Sequence, residues 1–107
     1  MTLPDEEGPI DVEIAELLTS VLPPSWRSAM LEIEVVPQPE GVKGLTHKIR
    51  GPRGIRELVS PPDEMYEASF RLYDLFLREG QPWRRVQYLV TQTPQGDWKY
   101  QVAFEYA

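Results

Sequence analysis

The chain has 107 residues, 41% of them hydrophobic and 10% aromatic, enough for one compact core and too few for two. No cysteine is present, which excludes disulfide frameworks, thiolate metal sites and thiol nucleophiles. A net charge of -6 disfavours general binding to nucleic acid or anionic membranes and favours a basic partner, although mild acidity by itself most often serves solubility.

The opening Met1-Thr-Leu-Pro-Asp-Glu-Glu7 has neither the basic nor the apolar region of a secretion signal, and no apolar run approaches the roughly 20 residues of a membrane span. A cytoplasmic protein is expected. Residues 1–9 read as a flexible acidic N-terminus, and 10–107 as a single domain. Ile10, Ile14, Leu17, Leu18 and Val21 recur at helical spacing, with acids crowding the start where the helix dipole favours them. A first helix over about Ile10–Leu22 follows, ended by Pro23-Pro24. From Ser28 to Val36, Leu31, Ile33 and Val35 alternate with Glu32 and Glu34, the pattern of a half-buried strand. Pro37-Gln-Pro-Glu-Gly41 makes a loop. Leu45, His47 and Ile49 then alternate with Thr46, Lys48 and Arg50 in a second strand, which pairs antiparallel with the first and sets Glu32 and Glu34 beside Lys48 and Arg50.

Gly51–Val59 has no clean period and reads as a loop. Ser60-Pro-Pro-Asp63 looks like a helix start, with Ser60 as N-cap and Pro61 at the first helical position. Met65, Tyr66, Ser69, Phe70, Leu72, Tyr73, Phe76 and Leu77 then form a broad helical stripe, and Gly80 is the expected terminator. The remaining stretch is a hairpin. Val86, Tyr88 and Val90 alternate in one arm and Trp98, Tyr100, Val102, Phe104 and Tyr106 in the other, around Pro94-Gln-Gly-Asp97. The order α-β-β-α-β-β predicts an α+β fold: a four-stranded antiparallel sheet with two helices packed on one face.

Chemistry-bearing residues are sparse. His47 is the one histidine and lies between Leu45 and Ile49 on an apolar face, where a half-buried hydrogen-bonded histidine is commoner than a catalyst. With no cysteine, a zinc site would rest on carboxylates, so no metal or other cofactor is expected. Asp5-Glu6-Glu7 reads as a solvated acidic run, and Gly51-Pro-Arg-Gly54 lacks the lysine and spacing of a phosphate loop. No catalytic group has a visible partner, so an enzyme is not expected. The basic cluster Lys43, Lys48, Arg50, Arg53 and Arg56, with Arg84 and Arg85, has two readings: an anion-binding patch, or neutralisation of Glu32, Glu34 and Glu57. Trp26, Trp83 and Trp98 offer the same choice between core-edge packing and a ligand platform.

The succession Pro24-Ser-Trp26, an acidic strand, Leu45-Thr-His-Lys-Ile49, Leu72-Tyr-Asp-Leu-Phe76 and a hairpin from Trp83 to Phe104-Glu-Tyr106 resembles the YezG-like immunity proteins of bacterial polymorphic toxin systems. The resemblance implies an antitoxin-like protein that binds and neutralises a cognate toxin domain, commonly a nuclease, without turnover. Exposed carboxylates would face the basic toxin, and the surface reading selects Asp11, Glu13 and Glu16 on the first helix and Glu32 and Glu34 on the open sheet face. A sheet edge is a route to a homodimer. The alternative is a small-ligand or regulatory module with an apolar pocket near Trp83, Trp98 and His47.

Overall fold

The computed structural model describes residues 3–37, 43–53 and 58–107. Its elements are α1 (Leu3–Ser20), β1 (Ser28–Pro37), β2 (Lys43–Arg50), α2 (Asp63–Arg78), β3 (Trp83–Gln92) and β4 (Trp98–Tyr106). The four strands form one antiparallel sheet in the order β2-β1-β3-β4, and the two helices pack together on one face. The α+β fold is as expected. The sheet order adds what alternation alone cannot supply: β1, not β2, lies beside β3.

Alternation explains the layers. Leu31, Ile33, Val86, Tyr88 and Val90 are buried beneath the helices, where they meet Ile14 and Leu18 of α1 and Met65, Leu72 and Phe76 of α2. Phe104 joins from β4, its ring 4.6 Å from that of Phe76. Trp26, which opens the loop into β1, is 1% exposed, and a Cβ at Gly51 would lie 2.6 Å from its indole. Only glycine lets the end of β2 pass so close to that ring.

Two helix starts differ from expectation. α1 begins at Leu3 rather than Ile10, so residues 3–9 belong to a helix that runs through Pro9. Asp5 and Glu6 lie in its first turn, where the partial positive charge of the free N–H groups favours them. α2 begins at Asp63, with Pro62 at the cap in an extended conformation (φ -70°, ψ 157°) and no side-chain cap bond, so Ser60 is not the N-cap. The reason is steric: Pro62 pushes Pro61 out of the helical region, so Pro61 cannot be the first helical residue and Ser60 cannot cap it. The C-terminus is as expected. Gly80 has φ 73°, and the bonds from Gly80 N–H to the Leu77 carbonyl and from Gln81 N–H to the Phe76 carbonyl complete a Schellman motif.

Between β3 and β4, Thr93 donates its N–H to the Asp97 carbonyl at 2.7 Å and Gly96 donates to the Thr93 carbonyl at 2.9 Å, with Gly96 at φ 95°. This is a three-residue hairpin loop with glycine at the left-handed position. The expected loop residues 38–41, together with Arg56 of the basic cluster and the Glu57 it was expected to neutralise, lie outside the described residues.

Candidate partner-binding surface

The five carboxylates singled out from the sequence do not converge. Glu32 and Glu34 point from β1 to the helix-free face, while Asp11, Glu13 and Glu16 belong to α1 on the other side of the sheet. Each has its own local chemistry.

Glu34 stands across from Arg85 of β3 and accepts from its Nη2 at 2.8 Å and its Nε at 3.1 Å, a forked pair. That bond keeps Arg85 firmly charged. Arg85 also reaches Glu105 of β4 at 3.3 Å, and Arg84 pairs with Glu105 as well. Glu32 lies in register with Lys48, as expected, but its carboxylate accepts instead from the Gln87 amide at 3.1 Å. The open face is thus a ladder of mutually engaged charges, not the acidic surface expected from Glu32 and Glu34. Of the two readings of the basic residues, neutralisation of Glu34 holds for Arg85, while Gln87 and Glu105 were missed, because only the β1–β3 and β3–β4 pairings bring them there.

On α1, Asp11 is 4% exposed and cannot meet a partner. It accepts from Tyr88 Oη at 2.5 Å and from the protonated Glu7 carboxyl, whose pKa is pushed up to about 8 by burial and by Asp11 itself. Burial and Asp11 also push Tyr88 upward, so its phenol stays protonated. The sequence carries a signal for this: Asp11 precedes Ile14 by three residues and Leu18 by seven, which places it on the buried stripe. Glu13 forms an ion pair with Arg71 of α2, fastening the helices together. Glu16 remains exposed, at the mouth of a cleft of about 170 Å³ lined by Val12, Ala15, Trp98 and Tyr100.

Trp83 and Trp98 line two separate clefts, of about 320 Å³ and about 170 Å³, not one shared with His47. Trp83 is 1% exposed and meets Tyr73 edge-on at 5.4 Å between ring centres, so core fills the space behind it. His47 packs against Tyr66 at 4.3 Å and its Nε2 bonds Ser69 Oγ at 2.9 Å. Burial lowers its pKa to about 4, so it is neutral at pH 7. Ser69 is itself fully buried, and the pair ties β2 to α2 within the core. The cleft at Trp98 falls below the ~300 Å³ of ordinary ligand sites.

What the fold does create is a division of charge. The helices carry ten acidic residues against Arg71 and Arg78, whereas the strands carry six basic residues against Glu32, Glu34 and Glu105. The helical layer has a formal charge of -8 and the strands +3. Between α1 and α2 runs a groove of about 480 Å³ with an apolar floor of Ile10, Leu75 and Leu77, rimmed by Glu6, Asp74, Arg71 and Arg78. No helix among the described residues is long and apolar enough to cross a membrane.

No protein-family model matches the chain, and no curated protein matches it.

Proposed function

We propose that this chain is an immunity-type binding protein of the cytoplasm, which masks the basic surface of a toxin domain with its acidic helical layer. A nuclease is the toxin class that its resemblance to the YezG-like proteins implies. The observation that carries the reading is the segregation of charge. The layer's formal -8, about -7 with Glu7 protonated, steers a basic protein toward it, and carboxylates there can occupy the positions of substrate phosphates. Glu6, Asp74 and the exposed Glu16, Glu64 and Glu67 replace Asp11, Glu32 and Glu34 as the contact carboxylates. The apolar floor of the interhelical groove, where Leu77 is 51% exposed, supplies a place for an anchoring side chain.

The test uses the protein encoded beside this gene. Co-expression should relieve its toxicity, and the purified pair should associate with a Kd that rises at least about tenfold between roughly 0.05 and 0.5 M salt. A neighbour that is harmless to the cell, or an affinity indifferent to salt, would overturn the proposal.

A further inference from the structure

The order β2-β1-β3-β4 leaves β2 and β4 as the two edges of the sheet, and the edges differ. β2 carries Lys43, Lys48 and Arg50 and no acid, so two antiparallel copies of it would oppose like charges. β4 has another pattern. Its ladder with β3 starts at the Thr93–Asp97 bond and alternates from there, so Lys99, Gln101, Ala103 and Glu105 turn their backbone groups inward. Ala107 N–H, which donates to the Pro82 carbonyl at 3.1 Å, keeps the same parity. Trp98, Tyr100, Val102, Phe104 and Tyr106 therefore present free N–H and C=O groups to the edge.

We infer that β4 pairs antiparallel with β4 of a second copy about a two-fold axis at Val102, joining two sheets into one of eight strands. Three observations fit this register together. Every residue with outward backbone groups meets another of the same parity: Val102 opposite Val102, Tyr100 opposite Phe104 and Trp98 opposite Tyr106, with about ten hydrogen bonds in all. In the intervening pairs Lys99 meets Glu105, opposite charges on the open face, twice by symmetry. The aromatic row on the helix side is incompletely covered in a single copy, with Tyr100 38% and Tyr106 52% exposed, and the partner's row would lie against it. This pairing leaves the acidic helical layer open and does not depend on the function proposed above.

Size-exclusion chromatography with light scattering on the full chain should give twice the 12.4 kDa monomer mass, falling towards 12.4 kDa on dilution. Val102→Pro removes an N–H that the β3 ladder does not use, so it should leave a folded monomer by circular dichroism. Lys99→Glu and Glu105→Lys each turn both charge pairs repulsive and should weaken self-association by about tenfold or more. Mixed together, these two variants regain both pairs and should form a heterodimer, a result that decides the matter even if Val102→Pro fails to fold. A wild-type chain monomeric at millimolar concentration, a folded Val102→Pro variant that still dimerises, or a charge-swapped mixture that associates no better than its components would overturn the inference.

Discussion

Glu7 and His47 both titrate far from their ordinary ranges, and they act on stability in opposite directions. Glu7 in the folded chain keeps its proton to about pH 8, whereas the unfolded chain loses it near 4.5. Between those values the folded state binds the extra proton, so stability falls as pH rises. His47 is the reverse case. The unfolded chain takes up a proton near 6.5 that the folded chain refuses until about 4, so stability falls as pH drops through that window. From about pH 4.5 to 6.5 the two slopes oppose each other, and from there to about pH 8 Glu7 acts alone. Glu7→Gln keeps an amide donor for Asp11 and removes the titration. Its stability relative to wild type, from urea unfolding over a pH series, should therefore climb steadily from about pH 4.5 to 8. Curves for the two proteins that run parallel across that range would show that Glu7 carries no raised pKa.

At the scale of elements, the strands and the end of α2 were legible because alternation and a left-handed glycine each leave a direct trace in the residues. Val86, Tyr88 and Val90 on one arm, with Gly80 ahead of them, say where a strand and a helix end must be. The helix starts were harder, since both depend on prolines whose effect is contextual. Pro9 looks like a reason to begin α1 late, yet the helix runs through it. Ser60 looks like a cap, yet the Pro61-Pro62 pair holds the chain extended past it. Ser60→Ala should change stability by less than about 0.5 kcal/mol, as at any exposed loop position. Loss of a working N-cap costs about 1 kcal/mol. Pro62→Ser, which places a hydroxyl at the true cap, should gain up to that amount, read from the midpoint of chemical unfolding.

For the whole molecule, what matters is which side of the sheet each charge occupies, and that was only half legible. One-signed α1 is plain in the residues: Asp5, Glu6, Glu7, Asp11, Glu13 and Glu16 with no base among them. That Glu34 takes Arg85, 51 positions later, and not Lys48 or Arg50 of the neighbouring strand is not plain, because it requires knowing that β1 is flanked by β3. The resulting asymmetry can be tested without any partner. Glu16, Glu64 and Glu67 replaced together by Gln remove three exposed charges from the helical layer, and Glu32, Glu34 and Glu105 replaced together remove three from the open face. Both triple variants have the same net charge. A positively charged anion-exchange surface distinguishes them only if the chain binds it by one side. The helical variant should elute at clearly lower salt than the open-face variant, because the first loses charges that face the resin and the second loses charges already engaged by Arg84, Arg85 and Gln87. Co-elution of the two would mean that the chain presents its charge evenly, and the acidic layer would then lose its claim to orient a basic partner.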